Sequence, residues 1–183
     1  NIQWLEMDLA HKECIEKITN LKPNVIIHLA ARAGISDSFK NPVEVINNNH
    51  LSFLNILEVA RNMELPPTLL YASSSSVYGK TLEPTIETNK TLCPTSSYGL
   101  SKLMNEQTAQ LYYQNYGIVS IGLRFFTVYG EYNRKDMLMH YLLESFQQKK
   151  EVRLYNNGLM QRDFTYVQDV VDSILKIIFS KKF

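Results

Sequence analysis

The sequence predicts an α/β fold built on a partial doubly wound parallel sheet, for two reasons. Three short apolar runs occur along the chain, at 25–30, 69–72 and 118–123. A continuous apolar run of this length is typical of a strand that is buried on both faces of a parallel sheet. Two longer segments with helical periodicity separate the runs, at 43–63 and 98–116. Strands that alternate with helices of this length indicate right-handed βαβ crossovers.

The remaining elements are predicted from local signals. The helical pattern of 43–63 places apolar side chains on one face, and Pro66-Pro67 prevents the helix from continuing. Beyond Gly130 the pattern is less regular and indicates the start of a smaller second region. In that region we predict a helix, a short strand, a turn and an amphipathic helix, at 137–148, 152–154, 156–158 and 170–178.

Composition and charge exclude several classes of partner. The chain has 183 residues, 45% of them hydrophobic, which is enough for a domain with a sizeable core. With 19 basic and 18 acidic residues it has no large field of one sign, so neither nucleic acid nor a membrane surface is implied. No signal-like start or spanning apolar run is present, so we expect a cytoplasmic protein. Cysteine and histidine spacing predicts no metal site.

Tyr98 and Lys102 are the first candidates for chemistry. On a helix, their spacing places the phenol and the ammonium on one face, where the cation favours the phenolate, a usable base. With 11 Tyr and 13 Lys among the 183 residues, about one such pair is expected by chance, so the pair alone is weak. Four serines, Ser73 to Ser76, follow a predicted strand. The carboxyl ends of strands are where doubly wound sheets bind ligands.

Four longer sequence motifs place these residues in a family context. They are YASSSSVYG at 71–79, PTSSYGLSK at 94–102, LRFFTVYG at 123–130 and RDFTYV at 162–167. In this order they resemble the nucleotide-sugar epimerases and dehydratases of the extended short-chain dehydrogenase/reductase family. HLAARAG at 28–34, with FTVYG at 126–130 and RKDM at 134–137, is most similar to UDP-glucuronate 4-epimerases.

The resemblance implies a reaction and its catalytic residues. It implies NAD-dependent inversion at C4 of a UDP-sugar, with UDP-glucuronate to UDP-galacturonate as the first choice. Tyr98 is implied as the base that removes the C4 hydroxyl proton, and Ser74 as a hydrogen-bond partner of the same oxygen. Lys102 would hold the nicotinamide ribose and favour the phenolate. Because hydride returns to the sugar, the cofactor emerges unchanged.

The resemblance also implies binding residues for the cofactor and the substrate. On the cofactor side are Asp8 near adenine and, near the ribose and nicotinamide, Ala30, Ala31, Arg32 and Asn49. A 4-keto glucuronate readily loses its carboxylate, and we expect Ser75, Ser76 and Thr127 to hold that group against decarboxylation. Arg162 is implied at the diphosphate and Arg134 near the sugar carboxylate.

Two domains are expected, and both are partial. Residues 1–130 would form an NAD-binding Rossmann-like domain and 131–183 the start of a substrate-binding region. The family's first βαβ unit, with its Gly-x-x-Gly-x-x-Gly turn, is absent, and residues 1–9 resemble a later strand of that family. We interpret the chain as a fragment of a longer enzyme, a truncated gene product or a shortened natural variant. Relatives dimerise, which implies a homodimer through 43–63 and 98–116.

Three alternatives remain open. The chain could act on another UDP-hexose as a 4-epimerase. A sugar-nucleotide dehydratase is disfavoured, because that branch has Thr-Asp-Glu before Val-Tyr-Gly, whereas Ser74, Ser75 and Ser76 precede Val77 here. The third alternative is a catalytically silent fragment, because a retained base cannot transfer hydride without a held nicotinamide.

Overall fold

The computed structural model describes residues 2–81, 85–89 and 91–180. The chain divides into two compact units, Asn1–Phe125 and Phe126–Phe183. The first unit carries a parallel sheet with helical crossovers, so the predicted α/β class is confirmed for a partial domain. The assignment of 1–130 to the cofactor and of 131–183 to the substrate stays a prediction.

The sheet of the first unit has three parallel strands in the order β1-β2-β3. These strands are β1 (Val25–His28), β2 (Thr68–Ser74) and β3 (Ser120–Phe125). Each lies on one of the three predicted apolar runs. Tyr71, in the middle strand, is in register with His28 on one side and with Gly122 on the other. The carboxyl ends of the three strands therefore lie at one edge of the sheet.

Four α-helices of the first unit are α1 (Glu13–Asn20), α2 (Ile35–Lys40), α3 (Pro42–Arg61) and α4 (Ser97–Tyr116). Helix α3 begins with proline, whose missing N–H is not needed in the first turn. Helix α4 begins after Ser96, whose Oγ accepts a hydrogen bond from the Gly99 N–H at 3.1 Å. It ends at Gly117, which has a left-handed φ of 69°. The two predicted long helices are confirmed, each boundary lying within two residues of its expected position.

The core of the first unit lies where α3 and α4 pack on each other and on β2. Phe53 is fully buried at its centre, with its ring 4.6 Å from that of Tyr71 and 5.8 Å from that of His28. Other buried apolar members of the cluster are Ile56, Leu57, Ala60, Leu69, Ala109, Tyr112 and Ile118. This packing fixes α4, which carries Tyr98 and Lys102, against the strand that carries the serines.

The second unit contains a small parallel sheet of two strands and two α-helices among its described residues. The elements are β4 (Thr127–Tyr129), α5 (Leu138–Gln147), β5 (Phe164–Tyr166) and α6 (Val167–Phe179). The predicted helices at 137–148 and 170–178 are confirmed as α5 and α6. Val128 of β4 is paired with Thr165 of β5, and α6 follows β5 directly.

Two strand predictions are wrong. Residues 152–154 form no strand; the Arg153 N–H instead donates to the hydroxyl of Tyr141 on α5 at 3.3 Å. Residues 1–9 were expected from the resemblance to form a strand, and the described residues among them, 2–9, form none. A strand needs a neighbour to satisfy its backbone groups, and a short apolar run does not supply one.

The predicted turn at 156–158 lies in a short 3₁₀ segment, Tyr155–Gly158, in which Asn156 and Asn157 adopt left-handed φ values of 49° and 51°. In the described part of the chain, no helix is both long enough and apolar enough to cross a bilayer. The cytoplasmic location and the homodimer through α3 and α4 stay predictions.

Candidate active site

The serine run ends β2 and forms the turn that follows it. Ser74 is the last residue of the strand, and a 3₁₀ turn, Ser75–Val77, comes next. The Ser76 N–H donates to Ser74 Oγ at 3.1 Å, which caps this turn. Because the Ser74 oxygen only accepts in this contact, its own proton can be donated to a ligand oxygen. Ser74 is 7% exposed, at the carboxyl end of the middle strand.

Helix α4 approaches this turn very closely, and Gly99 is the reason that it can. A Cβ built on Gly99 would lie 2.7 Å from the backbone oxygen of Ser76 and 3.2 Å from its Cβ. Any side chain at position 99 would therefore push the helix away from the turn. Tyr98 precedes this glycine in the first turn of α4, so the serine turn and the Tyr98 backbone are neighbours.

Lys102 is buried beneath Tyr98. Lys102 is 2% exposed, and its Nζ donates a hydrogen bond to the Ala72 carbonyl oxygen at 2.8 Å. The same Nζ lies 5.7 Å from the centre of the Tyr98 ring. Burial lowers the pKa of Lys102 from its ordinary value of 10.5 to about 8. A lysine has three donors, so two remain for ribose hydroxyls or for the Tyr98 oxygen.

His28 lies at the end of β1 and is 4% exposed. Burial, and then the charge of Lys102, lowers the pKa of His28 to about 4, so the ring is neutral near pH 7. Its tilted contact with Phe53 supports the interpretation of His28 as a packed core residue. Within the described residues its Nε2 has no hydrogen-bond partner.

Replacement of Lys102 by methionine is expected to change how stability depends on pH. Between about pH 8 and 10.5, Lys102 is protonated in the unfolded chain but largely deprotonated in the folded chain. The free energy of unfolding of the wild type therefore rises with pH in this range. At about 1.4 kcal/mol per pKa unit, the rise is at most roughly 3 kcal/mol. Urea unfolding, followed by circular dichroism at several pH values, should show this rise in wild type and not in Lys102→Met.

The matched control is Lys17→Met, which removes an exposed lysine of α1. It should keep the wild-type dependence on pH. The same slope in Lys102→Met as in wild type would contradict the burial of the ammonium.

Asn49 holds the loop after β1 against α4. Its Oδ1 accepts from the Arg32 N–H at 2.7 Å, and its Nδ2 donates to Arg32 O at 3.2 Å and to Ser101 Oγ at 3.1 Å. Ser101 in turn donates to the Tyr98 carbonyl oxygen at 2.7 Å. Asn49 is 1% exposed, so its contacts support a positioning role toward Tyr98. Sequence reasoning missed Ser101, although it lies on α4 between Tyr98 and Lys102.

The guanidinium of Arg32 is paired with acidic side chains. It forms ion pairs with Asp37 of α2, at 3.1 Å, and with Glu44 of α3. The family resemblance predicts Arg32 on the cofactor side, and this role stays a prediction. Both carboxylates are at least one third exposed, and the pairs tie the two helices to the loop after β1.

A pocket of about 530 Å³ lies beside this loop. Among its lining residues are Asp8, Ala30 and Ala31, three residues predicted to bind the cofactor, together with Asn48 and Ser52 of α3. The two alanines leave the backbone at the end of β1 accessible, and Asp8 offers a carboxylate to hydroxyl donors. These residues fit the adenosine end of a dinucleotide.

In the second unit, Thr127 and Arg162 lie at the same end of the small sheet. Thr127 begins β4 and is in register with Phe164, and its N–H donates to the Asp163 carbonyl oxygen at 3.1 Å. Arg162 is exposed and donates from Nη1 to the carbonyl oxygen of Gln161 at 2.7 Å. Among the residues that the structure describes, Arg162 forms no ion pair, so most of its donors are available to an anion.

Arg134 is engaged with an acidic neighbour. Its Nε and Nη2 donate to the two carboxylate oxygens of Asp136, at 2.9 and 2.6 Å. Both side chains are about half exposed. A substrate carboxylate would therefore have to compete with Asp136 for this guanidinium.

Comparison with known proteins establishes the family. The model of the NAD dependent epimerase/dehydratase family matches residues 1–182. The chain belongs to this family. UDP-glucuronate 4-epimerase 4 of Arabidopsis thaliana is 36% identical over 176 residues, which cover 93% of this chain and 40% of that protein.

Two solved structures of epimerases share the fold of this family member. UDP-glucose 4-epimerase from Thermotoga maritima, solved with UDP-glucose, has a TM-score of 0.91 and 27% identity, over 98% of this chain and 60% of its own. UDP-glucuronic acid 4-epimerase from Bacillus cereus, solved with UDP-glucuronic acid and NAD, has a TM-score of 0.83 and 30% identity, over 97% and 54%. This chain spans 40% to 55% of the lengths of three curated relatives.

Proposed function

We propose that this chain carries the catalytic residues of an NAD-dependent UDP-sugar 4-epimerase, with UDP-glucuronate as the substrate. One observation carries the proposal: Lys102 is buried under the Tyr98 ring, on a helix whose backbone touches the turn capped by Ser74. A phenol, a nearby cation and a buried hydroxyl are the groups needed to take a proton from a secondary alcohol. The family and the named activities of its members support the same reaction.

In the proposed reaction, Tyr98 accepts the proton of the sugar C4 hydroxyl. Ser74 donates a hydrogen bond to the same oxygen, which orients it toward the Tyr98 oxygen. Lys102 stabilises the phenolate and holds a ribose hydroxyl through its remaining donors. Bound NAD would supply a hydride acceptor for C4 and a hydride donor to the other face of the keto sugar. Tyr98 then gives its proton back to the oxygen, which leaves C4 inverted.

Ser75, Ser76 and Thr127 are proposed to hold the C5 carboxylate of the keto intermediate. Hydroxyl and backbone donors that fix a carboxylate keep its C–C bond away from the geometry in which carbon dioxide departs. Arg162, which is exposed and has available donors, is proposed at the diphosphate, where a planar guanidinium binds two oxygens at once. Arg134 is proposed to bind the substrate carboxylate, which would replace Asp136 as the partner of its guanidinium.

Thr127→Val is expected to raise the share of decarboxylated product. The change keeps the side-chain volume and removes the hydroxyl, so the carboxylate loses one of its proposed donors. Loss of one hydrogen bond to a charged group, about 1.5–3 kcal/mol, corresponds to roughly a ten- to hundred-fold rise in the pentose fraction. Chromatography of the UDP-sugars after turnover measures this fraction. Thr19→Val, the same substitution in α1, is the control, and an unchanged fraction in Thr127→Val would remove Thr127 from this role.

The proposal is tested first by NAD titration in a calorimeter and then by an assay with UDP-glucuronate. Heat of NAD binding followed by formation of UDP-galacturonate supports it. Conversion of UDP-glucose but not of UDP-glucuronate would transfer the activity to another UDP-hexose. Absence of NAD binding would support a catalytically silent chain.

A further inference from the structure

Glu106 is a third ionisable side chain on the helix face that carries Tyr98 and Lys102. It lies four residues after Lys102, which places it one turn further along α4 on the same face. Its Oε1 accepts a hydrogen bond from Ser73 Oγ at 2.5 Å. Ser73 is 2% exposed and directly precedes Ser74. Glu106 therefore ties α4 to the residue in front of the serine turn.

Arg124 of β3 completes this contact. Its Nε donates to Glu106 Oε1 at 2.9 Å and its Nη2 to Oε2 at 2.7 Å, which is a two-pronged ion pair. The side chains are only 18% and 15% exposed, so solvent screens the pair weakly. Hydrogen bonding to Glu106 raises the pKa of Arg124, so this guanidinium keeps its charge.

Arg124 also contacts the residue behind the serine turn. Its Nη1 donates to the hydroxyl of Tyr78 at 3.1 Å, and its Cζ lies 4.9 Å from the centre of the Tyr78 ring. Tyr78 directly follows the 3₁₀ turn Ser75–Val77. Glu106 thus contacts the residue two positions before the turn, Ser73, and Arg124 contacts the residue directly after it, Tyr78. The two clamping side chains are themselves paired.

We propose that Glu106 and Arg124 are positioning residues, which fix the Ser74 hydroxyl and the serine turn against Tyr98. This inference rests on the proposed function for its catalytic meaning. Neither side chain is assigned a contact with substrate or cofactor. Helix α4 is joined to β2 in two successive turns, by Lys102 to Ala72 and by Glu106 to Ser73, and Ser73 directly precedes Ser74, which caps the serine turn. Misplacement of a catalytic group by about 1 Å can lower a rate by about a hundred-fold.

Glu106→Gln is the first test, and Glu58→Gln is its matched control. Glu58 also accepts from a hydroxyl of α4, that of Tyr112 at 2.5 Å, and pairs with an arginine, Arg61, at 2.6 Å. The two substitutions therefore remove the same charge from similar surroundings, but only one lies beside the serine turn. Amide hydrogen exchange of the whole chain, read by mass spectrometry, reports local opening of each segment without any need for turnover.

Glu106→Gln should accelerate exchange in 73–79 by about ten-fold or more, with exchange in β1 unchanged. Glu58→Gln should leave 73–79 as in wild type. Ser73→Ala, a milder change, should accelerate the same segment and serves if Glu106→Gln does not fold. The positioning role would be overturned if 73–79 exchanged at the wild-type rate in Glu106→Gln. It would also be overturned if Glu58→Gln accelerated exchange in 73–79 as much as Glu106→Gln does.

A kinetic measurement separates this inference from the proposed function. If wild type inverts UDP-glucuronate, Glu106→Gln should lower kcat on the order of a hundred-fold and leave KM within about three-fold, because ground-state binding is retained. An unchanged kcat would overturn the positioning role. If the wild-type chain does not convert UDP-glucuronate, the proposed function fails. The exchange result then still supports or overturns the structural part of the inference, in which Glu106 and Arg124 hold the serine turn.

Discussion

Tyr98→Phe is expected to lower kcat for C4 inversion by about a thousand-fold, the range for loss of a positioned acid–base group. The phenylalanine keeps the ring above Lys102 Nζ, which lies 5.7 Å from the ring centre in the wild type, and removes only the oxygen that exchanges the proton. NAD affinity should therefore change by no more than about three-fold. Steady-state kinetics with UDP-glucuronate and calorimetric titration with NAD measure the two quantities.

Tyr113→Phe is the control for this substitution. Tyr113 lies on the same helix but is 60% exposed, and its hydroxyl is not part of the proposed site. We expect wild-type kinetics for it. A Tyr98→Phe variant that keeps more than about a tenth of wild-type kcat would show that another group serves as the base.

Phe53→Ala is expected to lower the free energy of unfolding by about 3–5 kcal/mol. Phe53 is fully buried between α4 and the sheet, with its ring 4.6 Å from Tyr71, so truncation leaves a cavity that rigid neighbours cannot fill. This loss is a large part of the roughly 5–15 kcal/mol that stabilises an ordinary domain. Urea unfolding, followed by circular dichroism, measures the change.

The control for the core is Phe39→Ala, at a phenylalanine of α2 that is 67% exposed. It should cost less than about 0.5 kcal/mol, as is usual for surface positions. Similar losses from the two substitutions would contradict the placement of the core between α3, α4 and β2.

The sequence predicted the larger elements because their signals are local. The apolar runs at 25–30, 69–72 and 118–123 each overlap a strand, but only β2 is mostly buried, whereas β1 and β3 are largely half-buried, contrary to the predicted burial on both faces. Ser96 and Gly117 cap the two ends of α4. The wrong strand at 152–154 has the opposite origin. Three residues of weak pattern specify no partner, and pairing depends on distant parts of the chain.

The part of the candidate site that could be predicted also depends on local sequence signals. Tyr98, Lys102 and the serines belong to contiguous motifs, so their neighbourhood could be inferred from the sequence alone. The partners Glu106 and Arg124 meet only because α4 packs beside β3, and single-sequence spacing does not show which charged residues will pair. A signal did exist for Glu106, because the Tyr98–Lys102 spacing continues by four more residues to a carboxylate on the same helix face.

Incubation of the chain with NAD and UDP-glucuronate that carries deuterium at C4 tests hydride transfer at this carbon most directly. The proposed reaction predicts UDP-galacturonate that retains the deuterium at C4, detected by proton NMR and mass spectrometry, and formed about a thousand-fold more slowly by Tyr98→Phe. Unconverted UDP-glucuronate in the presence of bound NAD, or a product that has exchanged its C4 deuterium for solvent hydrogen, would contradict it.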